Sequence, residues 1–259
     1  MTGASGVGEL GVAGRTMWLG AAAAVVGLAA AAAPPGTFSA LLKWSPLILT
    51  GFAFNLFVSA LAMICGTVAG AFLGLTQIAR SRAVRRVGDW IVQFFRNAPW
   101  LVLLFYSIFL IPYEFRVLGV TVYFPAWLKA VIGLGLPVMA NVAEIVRGAV
   151  QSIPTTQWES AASLGFNRHQ VIWRVILAQC IKRMLPPWMN LYAIVTTASP
   201  LISIVGVEDS LSLTRAALSA EGRPELLLPF YTFLLILFFV YCYPIARWTR
   251  RLETRYAVR

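Results

Sequence analysis

From Pro46 to Ile78 the chain runs without a single Lys, Arg, Asp or Glu. As a helix such a stretch is about 50 Å long, more than a bilayer's hydrocarbon core, where only helices and closed barrels satisfy their own backbone polar groups. Gly66, Gly70 and Gly74 recur every four residues within it, so they share one helix face and admit a close neighbour. Further apolar runs at Met17 to Ala33, Pro99 to Ile111, Trp127 to Val150, Leu185 to Val205 and Glu225 to Tyr243 alternate with short polar segments. Hydrophobic residues make up 59% of the chain and charged ones 12%, and the mean hydropathy is +0.76. A soluble domain carries about 25% charged residues. The pattern predicts an all-α integral membrane protein with about six transmembrane helices, a five-helix core preceded by one N-terminal span.

Two of these runs are short. Met17 to Ala33 is read as a retained first span, with a signal peptide as the alternative because its end is Ala-x-Ala-like and Pro34-Pro35 follows. Pro99 to Ile111 crosses only if an amphipathic approach helix at Trp90 to Asn97 contributes. A polar hinge is expected before Pro46. Tyr113 to Ala126 and Glu208 to Pro224 are expected outside, the latter as a short helix and turn.

Charge sets the orientation. Of 21 Lys and Arg residues only Lys43, Arg116, Lys129, Arg215 and Arg223 fall in the proposed outer segments, whereas the ten acidic residues divide evenly. The cationic excess therefore lies inside, with both termini, the Arg80 to Arg86 cluster and the tail from Arg247 in the cytoplasm. A net charge of +11 does not indicate a nucleic-acid partner, because the cations flank apolar spans rather than gather on a soluble domain. Trp248 and Tyr256, interleaved with those tail cations, suit headgroup level.

Between the fourth and fifth runs lies a polar island, Ile145 to Pro187, that reads as helix, break, helix. Pro154 suits a first helical turn and Gly165 a left-handed C-cap. At its centre Ser160, Ala161, Ala162 and Ser163 leave room for another surface, and Glu159 adds one charge. The sequence Ala143-Glu144-Ile145-Val146-Arg147-Gly148, then Ser152-Ile153-Pro154, Gln157, Glu159-Ser160-Ala161-Ala162, Gly165 and Arg183-Met184-Leu185-Pro186-Pro187 resembles the permease subunits of bacterial ABC importers for polar amino acids. Phe95-Arg96-Asn97-Ala98-Pro99 followed by Leu101-Val102-Leu103-Leu104-Phe105 is similar to a second stretch of that family. The chain departs from the pattern at Ser160, at Ala178, where a Pro usually follows Leu177, and at Ser199-Pro200-Leu201, where Thr-Ser-Leu is common.

The resemblance implies a type I importer fold in the bacterial inner membrane, working by alternating access. It implies that Glu159, Ser160, Ala161, Ala162 and Gly165 form a coupling helix docking on a dimer of ABC ATPase subunits, which would hold ATP and Mg, with no cofactor in this chain. A second permease subunit, the same or homologous, and an extracytoplasmic amino acid binding protein complete the implied assembly. The expected layout is an N-terminal segment with the first span or signal anchor over residues 1–45, the importer transmembrane domain over 46–250 and a basic cytoplasmic tail over 251–259.

The residues themselves offer little other chemistry. Lys43, Lys129 and Lys182 follow Leu, Leu and Ile rather than the Gly of a phosphate-binding loop, so no ATPase site is expected by that route. His169 has no Cys, Asp or second His at ligand spacing, and Cys65, Cys180 and Cys242 have no metal-binding spacing. The remaining candidates are intramembrane polar groups: Asn141 and Glu144 on the fourth run, Asn190, Thr197 and Ser199 on the fifth. They line a solute path or bond neighbouring helices, and Glu144 can pair with Arg147 one turn on. A stand-alone secondary transporter or channel is the rival reading, but such proteins carry internal repeats, and none is found here.

The topology predicts that a single cysteine at position 168, in an otherwise cysteine-free chain, stays unlabelled by an impermeant thiol reagent on intact cells. Labelling from outside would invert the inner and outer segments.

Overall fold

The computed structural model of the chain describes residues 34–117 and 120–256, and the apolar run at 17–33 lies outside them. Helix α1 (Thr37–Gln77) spans 41 residues, about 60 Å, so it extends beyond the hydrocarbon core. It begins nine residues before Pro46, and the expected polar hinge is helical. The cause is local. Pro46 removes the amide that would bond the Leu42 carbonyl, and Ser45 Oγ donates to that carbonyl instead at 3.0 Å. The early turns are also tied down from outside, because Glu221 Oε1 accepts from both Lys43 Nζ and Trp44 Nε1 at 2.7 Å.

Helix α2 (Arg82–Asn97) is the amphipathic approach helix, extended by two turns toward the Arg cluster. At Ala98-Pro99 the chain bends by 102° into α3 (Trp100–Leu110). A small antiparallel hairpin follows, β1 (Glu114–Val117) on β2 (Val120–Tyr123), with Glu114 paired to Tyr123. These are the strands among the described residues, and an apolar-run reading did not anticipate them. Helix α4 (Ala126–Gln151) crosses beside α1. The island contains α5 (Thr155–Ser163), then a short helical turn and a π-helical segment, Val171–Ile176, that runs directly into α6 (Leu177–Ala198).

Helix α6 therefore starts eight residues before the expected fifth span. It gives way at Ser199 to a 3-10 segment, Ser199–Ser203, where Pro200 withdraws its amide. The Thr196 carbonyl, which loses that partner, accepts from the Ser199 amide and from Ser199 Oγ at 2.8 Å, and the hydroxyl acts as at Ser45-Pro46. Helix α7 (Ser210–Glu221) is the short helix expected within Glu208 to Pro224, closed by Gly222 in the left-handed region. Helix α8 (Leu227–Tyr256) carries the last apolar run and continues through the first residues of the basic tail.

Among the described residues α1, α4 and the stretch Pro224–Arg255 are long and apolar enough to cross a membrane, and the bent α2–α3 pair has the length and composition of a broken span or a re-entrant loop. Helix α6, more polar, packs between α4 and α8. The central core joins Val58, Met63, Leu104, Leu134, Val138, Val195 and Ile202 from α1, α3, α4, α6 and the 3-10 turn. A second cluster near the outer side joins Ile48, Ala217, Leu226 and Phe230.

The glycine face of α1 lies close against α4. A Cβ on Gly66 would stand 2.5 Å from Val138 Cγ1, on Gly70 2.5 Å from the Met139 carbonyl, and on Gly74 2.8 Å from Val146 Cβ. Gly70→Val is expected to separate α1 from α4 and destabilise the purified protein by about 1–3 kcal/mol or more. Gly148→Ala, where an added Cβ meets nothing within 4 Å, serves as the control. Thermal unfolding in one detergent compares them, and equal midpoints would refute the seam.

Candidate functional site

Two neighbouring features on the inner half of the bundle carry most of the sequence candidates. The first is α5. Pro154 is its extended N-cap, one position before the first helical turn. At the other end Gly165 takes φ +79°, the Phe166 amide donates to Ala161 O (3.3 Å) and the Gly165 amide to Ala162 O (2.9 Å). These are the paired bonds of a Schellman end. A Cβ at Gly165 would touch nothing within 4 Å, so glycine is needed there for backbone conformation alone.

The end motif decides which face of α5 is free. Ala161 is buried, with Trp158 and Phe166 packed against Ala149, Val150 and Ile153 at and just past the end of α4, Val171 and Ile176 of the π-helical segment, and Cys180 at the start of α6. Glu159, Ser160, Ala162 and Ser163 are exposed, and Leu164, at 77%, leaves a large apolar side chain in the open. Glu159 forms no ion pair among the described residues. Arg168 Nη2 donates to the Ile78 carbonyl at 3.2 Å, tying the island to the end of α1. Ala178 lies within α6, exposed, and the wider π turn immediately before it is where the helix departs from regular geometry.

The second feature is a cleft of about 700 Å³ between α4 and α6, lined by Asn141, Glu144, Gly148, Arg183 and Asn190, with Arg96 from α2. Glu144 is the charge hub. Arg147 Nη2 lies 2.6 Å and Arg96 Nη1 3.3 Å from Glu144 Oε2, and Gln77 Nε2 donates to Oε1 at 3.2 Å. Arg183 Nη1 donates to both Ser152 O and Ser152 Oγ at 2.7 Å, closing the inner end between α4 and α6. Asn141 Nδ2 is held by the Pro137 carbonyl at 2.8 Å, whereas the exposed Asn190 side chain forms no hydrogen bond among the described residues.

Thr197 and Ser199 do not join this cleft. Thr197 is exposed and returns its hydroxyl to Ala193 O and Ile194 O. Ser199 is buried in a polar cluster toward the outer side. There Asn55 Nδ2 donates to Ser199 Oγ (3.0 Å) and Asp209 Oδ2 (3.1 Å), and Asn55 Oδ1 accepts from the Ser210 amide (2.9 Å). Asp209 caps α7 by accepting from the Ser212 amide at 2.9 Å. Burial pushes the Asp209 carboxyl above the usual carboxylate range, against the pull of those donors. Asp209 was missed as a structural centre in the sequence, although its legible signal is the Asp-x-x-Ser cap before α7.

Apolar helices around a polar cleft, with a short helix presented beside its inner end, define an integral membrane transport component. The chain belongs to the family of binding-protein-dependent transport system inner membrane components, whose model matches residues 66–258. A probable amino-acid ABC transporter permease protein of Bacillus subtilis, YckA, is 31% identical over 212 residues, covering 82% of this chain and 90% of that protein. The crystal structure of an amino acid ABC transporter with histidines contains a chain that superposes with a TM-score of 0.71 at 25% identity, over 84% of this chain and 98% of that one. A chain of the MetNI methionine ABC transporter in inward-facing conformations shares the fold, with a TM-score of 0.60 at 19% identity over 82% and 97% of the two chains. The protein is an ABC importer permease subunit, multi-pass in the bacterial inner membrane, of a class that works with ATPase and substrate-binding partners.

Asn55→Leu should leave Asp209 Oδ2 and the Ser210 amide without their partner, lowering stability by about 1–3 kcal/mol for each stranded group. Thr197→Val, which removes only a local bond on an exposed face, should stay within about 0.5 kcal/mol. Midpoints of thermal inactivation in detergent report both, and an unchanged Asn55→Leu protein would show that the cluster holds nothing.

Proposed function

We propose that this chain forms the translocation path of an ATP-driven importer of polar amino acids, with α5 as the coupling helix that docks on a separate ATPase dimer. The observation that carries the reading is the position of α5. Its buried face rests on the ends of both helices that wall the cleft, while Glu159, Ser160, Ala162 and Leu164 point away from the bundle. A push on the free face therefore reaches α4 and α6 through Ala161, Trp158 and Phe166. Closure of the ATPase pair would be converted into alternating access of the cleft. In this reading ATP and Mg reside on the partner, the permease has no ATPase site of its own, and the transmembrane domain occupies residues 46–250.

Polar amino acids suit the cleft because Asn141 and Asn190 offer amide groups beside Glu144, Arg96 and Arg183. Glu144 stands between two arginines, so one carboxylate faces two guanidinium groups and the wall stays net cationic beside the amides. Amino-acid relatives point to the same substrate class. The cleft is open on one side, and a second permease chain, identical or homologous, would enclose it. An external binding protein would deliver the solute.

Glu159→Lys places a cation where the docking surface presents its single carboxylate, and it is expected to abolish ATPase activity stimulated by the binding protein in proteoliposomes. Losing one partner of a desolvated charge pair costs about 2–5 kcal/mol, enough to lose the complex. Membrane insertion should be unaffected, since Glu159 lies outside every span. Wild-type stimulation in Glu159→Lys would remove α5 from the coupling role.

A further inference from the structure

Helix α2 divides its surface three ways. Gly88 and Val92 are buried, Gly88 against Thr76 of α1 and Val92 against Ala140 and Ala143 of α4. An adjoining stripe is apolar and open: Val84 is 45% exposed, Val87 59%, Trp90 70% and Phe94 54%. The spacing of three, three and four residues puts these side chains on one helix face, and the Trp90 and Phe94 rings stack with centroids 5.8 Å apart. The remaining arc is polar and holds Arg82, Arg85 and Arg86 with one carboxylate, Asp89, which accepts from Gln77, and Arg80 lies two residues before the helix. All four arginines are exposed, and none pairs with a carboxylate among the described residues. Arg96 differs, because it reaches inward to Glu144.

An open apolar stripe bordered by unpaired arginines, on a helix that turns by 102° into the next membrane segment, has the chemistry of an interfacial helix. We infer that α2 is a binding surface for anionic phospholipid of the cytoplasmic leaflet. Val84, Val87, Trp90 and Phe94 enter the acyl boundary, and Arg80, Arg82, Arg85 and Arg86 hold the phosphate headgroups. Charge complementarity selects the occupant. A neutral lipid fits the stripe but offers the four exposed arginines no counter-charge, and neither does the apolar face of a second permease chain. An anionic leaflet covers the stripe and supplies the counter-charge together. Through the buried face of α2 and the Arg96–Glu144 pair, the lipid contact adjoins the wall of the cleft.

The test uses the full chain, with whatever subunits co-purify, in nanodiscs of phosphatidylcholine alone or with phosphatidylglycerol. Either lipid carries bromine at acyl carbons near the headgroup. The fluorescence that wild type has and Trp90→Phe lacks reports the Trp90 environment. The expected result is stronger quenching by brominated phosphatidylglycerol than by brominated phosphatidylcholine. That preference should fall by roughly two- to fivefold for each arginine removed in Arg82→Gln, Arg85→Gln and Arg86→Gln, and should shrink in the wild type at 0.5–1 M salt, where the screening length approaches about 3 Å. The tail variant Arg250→Gln with Arg251→Gln and Arg255→Gln should keep the preference. Equal quenching by the two lipids overturns the proposal, as does a preference that follows the tail arginines instead. A Trp90 signal that neither lipid quenches also overturns it and shows that a protein neighbour, a second permease chain, covers the stripe.

Discussion

The seam between α1 and α4 is the contact on which the other helices depend. Apolar side chains gain little by leaving lipid for a protein interior, so helix association in a bilayer relies on close packing and internal hydrogen bonds. Gly66, Gly70 and Gly74 face Val138, Val142 and Val146, each glycine opposite a β-branched side chain at the same four-residue interval. Two helices held that closely become one wall. Helices α3 and α6 then pack on it through Leu104, Leu134, Val138 and Val195, and α2 packs on its inner end through Val92.

Polar groups within the bundle fall into two kinds. Some repair the backbone: Ser45 and Ser199 each take the carbonyl that the following proline abandons, which lets a helix pass Pro46 and lets the chain tighten smoothly into the 3-10 turn at Pro200. Others bind elements together. Asn55 uses both amide hydrogens and its oxygen to tie α1 to the 3-10 turn and to the cap of α7, and Gln77 reaches both Asp89 and Glu144 to join α1, α2 and α4. Asn190 belongs to neither kind. A side chain that holds no part of the bundle together and faces a cleft is available to a solute, and this sets Asn190 apart in the proposed path.

The proposed coupling follows from the same economy of contacts. Ala161 is small enough for α5 to sit close to the ends of α4 and α6, and the Schellman end at Gly165 turns the chain back so that Phe166 covers the joint. Ile78, just past the end of α1, also packs on this joint, and its carbonyl accepts from Arg168. In the proposed mechanism a force on the exposed face of α5 has two routes to the cleft, through α4 and through α6.

The sequence by itself determined the membrane class, the placing of cations beside apolar spans, the glycine face of α1, the polar island and the end of α5 at Gly165. Each of these is written in local composition or in a fixed spacing: apolar length, helical period, or a residue type that alone tolerates positive φ. It also placed Asn141, Glu144, Asn190, Thr197 and Ser199 together as polar intramembrane residues, because polarity in an apolar run is visible along the chain. Only the tertiary structure decided that Asn141, Glu144 and Asn190 share a cleft, that Thr197 turns its hydroxyl back on its own helix, and that Ser199 belongs with Asn55 and Asp209. Asn55 lies 154 residues from Asp209, and no local pattern records so distant a bond. The helical start of α1 before Pro46 was hidden for a similar reason, since Glu221 on another helix secures Lys43 and Trp44 there. Helical period and capping act within a few residues and can be read in order, whereas the pairing of buried polar groups is settled by which helices meet.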